Sequence, residues 1–100
     1  IALIEKDTVV IALATQPSVA QKTISNILET AARGAKVILI ASQSQNTEGF
    51  EYVIRIPDVD PLLSCIPATV LLQELAYYVA KEKGCDVDKP RNLAKSVTVE

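Results

Sequence analysis

The sequence predicts an α/β fold built on a parallel sheet, and three observations carry that prediction. Two short aliphatic runs, TVVIALA over 8–14 and KVILIA over 36–41, are too continuously apolar for strands with one face in water. Between them Ala20, Ile24, Ile27, Leu28 and Ala31 recur at helical spacing, while Gln21, Lys22, Ser25, Asn26 and Glu29 fall on the other face. Only four residues are aromatic although 49% are hydrophobic, so the core must be built from Val, Ile, Leu and Ala. That is the composition of buried parallel strands under covering helices.

Taken in order, 8–14 reads as a central parallel strand. Thr15-Gln16-Pro17 is a turn whose proline suits the first position of a helix, where its missing N–H costs nothing. The helix stops at Gly34, placed to take the left-handed conformation just past the last turn. The strand over 36–41 completes a βαβ unit, whose crossover is right-handed in nearly all known cases. The polar stretch SQSQNTEG over 42–49 reads as a loop, and Tyr52–Ile56 (YVIRI) as a short third strand ending at Pro57. The turn PDVDP leads to a long helix over 62–83, supported by Leu63, Ile66, Val70, Leu71, Leu75, Val79 and Ala80 and ended by Gly84. Pro67 predicts either a kink or a helix that begins near it. Residues 85–100 (CDVDKPRNLAKSVTVE) mix charge with small residues and contain Pro90, so they read as a tail. The division is therefore one α/β subdomain over 1–84 and a tail over 85–100. A three-stranded parallel sheet is a small one, and at least one edge is expected to want a neighbour.

Composition excludes several functions. A net charge of −2 offers no footprint for nucleic acid. Zero histidine removes Ser-His-Asp and Cys-His catalysis, and three glycines form no phosphate-binding fingerprint. Cys65 and Cys85 have no CxxC spacing, and read as ordinary thiols of a reducing compartment. The apolar runs are shorter than the roughly 20 residues that cross a bilayer, and no basic n-region precedes the first of them. A cytoplasmic protein with no membrane contact is expected. The start at Ile1 and the absence of methionine suggest a missing upstream part. Asp58, Asp60, Asp86 and Asp88 read as turn and capping carboxylates. Ser42, Ser44 and Thr47 sit in the loop after the second strand, at the sheet edge where open α/β sheets bind ligands.

The run DVDKPRNLAKSVTVE at 86–100 closely resembles the C-terminal tail of the glucosamine-6-phosphate synthase family, also called glutamine–fructose-6-phosphate aminotransferases. LAYYVAKEKG at 75–84 resembles the last helix of that family, and IALIEKDTVVIAL resembles the start of its second sugar isomerase (SIS) subdomain. The resemblance covers the whole chain and is most specific in PRNLAKSVTVE. It implies a SIS-type, flavodoxin-like fold. It also implies a part in making glucosamine 6-phosphate from fructose 6-phosphate and glutamine-derived ammonia, with no cofactor and no metal. The partners implied are fructose 6-phosphate or glucosamine 6-phosphate, the remainder of the synthase chain with its glutaminase domain and first SIS subdomain, and a second copy in a homodimer. The alternative is a non-catalytic SIS-type module that binds a phosphosugar or serves in assembly.

The resemblance carries over residue by residue only in the tail. Lys95 matches the family's catalytic lysine, associated with ring opening and with a Schiff base at the sugar ketone. A neutral primary amine is what attacks a carbonyl to give an imine. The ordinary lysine pKa is about 10.4, and bringing such an amine near neutrality costs about 3–4 kcal/mol, which an enclosed site must supply. Leu93 and Ala94 match substrate-contacting tail residues that close over the sugar and exclude water. Arg91 and Asn92 match polar positions that anchor the tail. The family's phosphate site, its general-base glutamate, its histidine and its glutaminase cysteine match nothing in this chain, so the 100-residue chain alone is expected to be inactive.

Overall fold

A computed structural model describes residues 1–89. Its elements are β1 (Val9–Ala14), α1 (Pro17–Ala32), β2 (Lys36–Ser42), β3 (Tyr52–Ile56), a 3-10 turn (Pro61–Leu63) and α2 (Cys65–Glu82). The three strands form one parallel sheet in the order β1-β2-β3. The predicted α/β class and the βαβ unit are present, and every strand and helix falls within a residue or a few of its expected bounds.

Local chemistry accounts for the boundaries of α1. Pro17 occupies the first turn, and the side chain of the N-cap residue Gln16 makes no cap hydrogen bond. After Arg33 the chain turns through Gly34 at φ +95°. A Cβ built there would come 3.2 Å from the Lys6 Cα, so glycine is needed both for the conformation and for the close approach. The Lys36 N–H then donates to the Thr8 carbonyl at 2.8 Å, which starts the pairing of β2 with β1.

The register places Ala12 beside Leu39 and Ala14 beside Ala41. These residues, with Val37, form a core with Ala20 and Ile27 of α1, and Val10, Ile24, Ala31, Phe50 and Val53 pack against it. Leu39 is wholly buried. Burying a leucine in this way contributes about 1.5–3 kcal/mol relative to exposure.

One expectation is corrected. The sequence predicts a central strand over 8–14, but among the described residues β2 is the central strand and β1 is an edge of the sheet. Val9, Ile11 and Leu13, on the face away from α1, are 61%, 42% and 41% exposed. Apolar continuity reports that a strand is suited to burial on both faces. It does not report whether this stretch of chain supplies the cover.

Of the two expectations for Pro67, the second is met, since α2 begins near it, at Cys65. Pro67 is the third residue of α2, within the first turn, where its N–H would have no helical partner. Chain compactness divides the described structure into a unit over Ile1–Ala68 and a second unit from Thr69 onward. Within α2 only Ala68 is fully buried, whereas Ile66, Val70 and Val79, expected to support its packing, are exposed. The stretch Pro61–Glu82, 22 residues, is long and apolar enough to cross a membrane by length and composition alone. The apolar runs in the sequence predict no such stretch. Gln73 and Glu74 interrupt it near its middle.

Candidate functional site

The ends of the three strands bring Thr15, the 42–49 loop and the 57–60 turn to one edge of the sheet, the edge where open α/β folds hold ligands. Two side-chain systems organise it. In the first, Ser64, only 3% exposed, donates its hydroxyl to the Pro61 carbonyl at 2.9 Å and lies 3.5 Å from the Thr15 Oγ1. Gln16 donates to the same Pro61 carbonyl at 2.7 Å and to the Ser64 Oγ at 3.1 Å. The exit of β1 is thereby tied to a turn more than forty residues later, and the buried Ser64 hydroxyl is satisfied.

In the second, Arg55 of β3 reaches over the 42–49 loop. Its guanidinium donates to the carbonyls of Ser42 at 2.8 Å and Gln45 at 2.7 Å, more weakly to Gln43 at 3.4 Å, and to the Thr47 Oγ1 at 2.6 Å. Asp58 accepts from both the N–H and the hydroxyl of Ser44, at 3.1 and 2.9 Å. A fork of fixed donors suits several carbonyls that face inward around a bend. Nothing in the local sequence motifs marks Arg55 as a loop-holding residue. A charged residue in an otherwise apolar short strand, followed by a polar loop partner, is the signal that was available.

The acidic residues behave as turn and capping groups. Asp60 accepts from the Leu62 N–H at 2.9 Å, and Asp86 accepts from the N–H groups of Asp88 and Lys89, both at 3.0 Å. Cys65 and Cys85 are exposed and form no disulfide. Among the described residues no group of three or more His, Cys, Asp or Glu could hold a metal ion. At the opposite end of the sheet, Lys36 bonds Asp7 at 2.8 Å. That hydrogen bond, and the charge of the Asp7 carboxylate, hold the Lys36 ammonium above the ordinary lysine pKa.

Each unit carries a cleft of its own. A mostly polar one of about 420 Å³ lies between the 42–49 loop and α1. A larger, mostly apolar one of about 1000 Å³ lies within the second unit, lined by Tyr77, Ala80, Cys85, Val87 and Lys89 among others. The predicted catalytic Lys95, the predicted substrate-contacting Leu93 and Ala94, and the predicted anchors Arg91 and Asn92 lie outside the described residues.

Comparison with known proteins gives a consistent result. No family model matches the chain. The glutamine–fructose-6-phosphate aminotransferase (isomerizing) of Clostridium acetobutylicum is 55% identical over 102 residues, covering 100% of this chain and 17% of the relative. The enzyme of the same name from Clostridium tetani is 57% identical over 106 residues, and that of Bacillus subtilis 50% over 100, each match again covering the whole chain. This chain therefore spans about one sixth of the length of the curated relatives it matches. Among solved structures, the C-terminal domain of glucosamine-fructose-6-phosphate aminotransferase from Francisella tularensis superposes with a TM-score of 0.77 at 32% identity, covering 88% of this chain and 26% of that one. With identity above one half over the full chain and a shared fold, this chain is similar throughout its length to the C-terminal part of glutamine–fructose-6-phosphate aminotransferases.

Proposed function

We propose that this chain forms the C-terminal part of the isomerase half of an enzyme that makes glucosamine 6-phosphate from fructose 6-phosphate and glutamine-derived ammonia. The observation that carries this reading is the 55% identity to such an aminotransferase along the entire chain, tail included. The domain division follows the same reading: residues 1–84 form the SIS subdomain, and 85–100 form a tail that closes the sugar site. The enzyme acts in the cytoplasm as a homodimer, with no cofactor, and the rest of the synthase supplies the phosphate site and the glutaminase.

In this reading Lys95 is the catalytic amine. Its Nζ attacks the ketone carbon of the opened sugar, a C–N bond forms, and the ketone oxygen leaves as water to give an imine. Leu93 and Ala94 cover the sugar and keep bulk water from that imine. A chain that lacks the phosphate site and the glutaminase has no synthase activity by itself, and glucosamine 6-phosphate formation by the purified 100-residue chain would disprove that part.

The test is borohydride trapping on the full-length protein with fructose 6-phosphate, followed by peptide mass mapping. Reduction of the imine leaves a stable secondary amine on the peptide that contains Lys95. Lys95→Ala removes that adduct and lowers synthase turnover by about 10²–10⁴, the range for loss of a positioned group that moves protons in ring opening. Synthase activity without an adduct there would retain the family and remove the role of Lys95. Neither activity nor adduct would favour a non-catalytic module that only binds phosphosugar.

A further inference from the structure

We propose that the cleft between the 42–49 loop and α1 is a binding site for a sugar, with a preference for one that bears an amine and carries no phosphate. The inference is independent of the reaction proposed above. It rests on how one wall of the cleft is held and on what lines it.

The wall is set in place before any ligand arrives. Arg55 spends its donors on the carbonyls of Ser42 and Gln45 and on the Thr47 hydroxyl, and Asp58 holds Ser44 from the other side. The Glu48 N–H donates to the Asn46 Oδ1 at 2.9 Å, which fixes the loop tip. A loop already ordered in this way pays little further ordering entropy on binding.

The lining is Pro17, Gln21, Ile24, Gln45, Asn46 and Glu48. The carboxamides of Gln21 and Gln45 offer donors and acceptors, and Asn46, whose Oδ1 holds the Glu48 N–H, offers its amide N–H groups, a set that matches neighbouring hydroxyl groups of a sugar. Pro17 and Ile24 supply an apolar patch for the C–H face of a sugar ring. Glu48 is the single charged group of the lining, so an ammonium is attracted and a phosphate repelled. The guanidinium of Arg55 is turned to the loop and does not line the cleft.

The experiment is saturation-transfer NMR on the full-length protein, observed on the ligand, with glucosamine, glucose and fructose 6-phosphate titrated in turn. Glucosamine gives a saturable signal with a Kd in the millimolar range, about tenfold tighter than glucose. Glu48→Gln abolishes that preference, leaving glucose unchanged. Arg55→Ala weakens both sugars about tenfold and speeds amide hydrogen exchange in the 42–49 loop, while exchange of the β2 amides stays slow, which shows that the fold persists. The absence of a saturable signal with either neutral sugar or glucosamine overturns the proposal. So does a glucosamine signal that neither substitution alters, or fructose 6-phosphate binding that weakens with Glu48→Gln.

Discussion

β1 and β2 are near twins in sequence, VVIALA against KVILIAS, paired residue for residue in parallel, yet they live in different surroundings. In β2 Leu39, Ile40 and Ala41 have no exposed surface, whereas β1 leaves Val9, Ile11 and Leu13 about half exposed. The difference lies in position and not in composition, since β2 has a strand on each side and β1 has one. Aliphatic content specifies what a strand tolerates; its neighbours specify what it receives.

The largest effect expected is at the centre of this contrast. Leu39→Ala leaves a cavity in a fully buried position and lowers stability by about 2–5 kcal/mol, read by chemical denaturation. A cost below 1 kcal/mol would mean that the β2 core is not packed as described. Gly34, in the connection that brings β2 beside β1, comes next. Gly34→Ala places a Cβ at positive φ and against the Lys6 backbone, and costs about 1–3 kcal/mol by the same measurement. Leu13→Ala in the 100-residue chain removes only a partly exposed side chain and costs about 1 kcal/mol or less. The same substitution in the full-length protein sharpens the comparison: a cost rising to the level of Leu39→Ala would show that another part of that protein covers β1.

The smallest effect is electrostatic and sits where both strands begin. Because Asp7 raises the pKa of Lys36 in the folded chain, the pair contributes its stability below the ordinary lysine pKa and loses it as pH rises through the higher folded value. The stability difference between the parent and Lys36→Met is therefore constant through neutral pH and closes only above about pH 10.5. A difference that closed near neutrality would assign the effect to another group.

Much of the fold was legible because it is encoded by short-range chemistry. Pro17, Gly34 and Pro57 mark element ends through fixed or left-handed backbone angles, and those constraints act within a few residues. The spacing of Ala20, Ile24 and Ile27 gives the buried side of α1 directly. The edge position of β1 was not legible, since it depends on which strands are available to pair. Nor was the exposure of Ile66 and Val70 on a helix whose apolar content had suggested packing. Of the site, Ser42, Ser44 and Thr47 were visible as a polar loop after a strand, but not their capture by Arg55 and Asp58. That capture joins residues 8 to 14 apart in sequence through side chains whose direction only the folded sheet sets.

By itself the sequence determined the element order, the parallel βαβ unit, the aliphatic core and a tail string distinctive enough to name a family. All of these follow from local backbone preference, from continuous aliphatic runs and the 3.6-residue period, or from identity of residues. The tertiary structure alone decided that β2 and not β1 is the centre of the sheet, that Gln16 and Ser64 meet at the Pro61 carbonyl, and that Arg55 shapes the loop beside α1. The physical reason is shared: each depends on two segments arriving together, and a hydrogen-bond donor carries no mark in the sequence of the distant acceptor it will find.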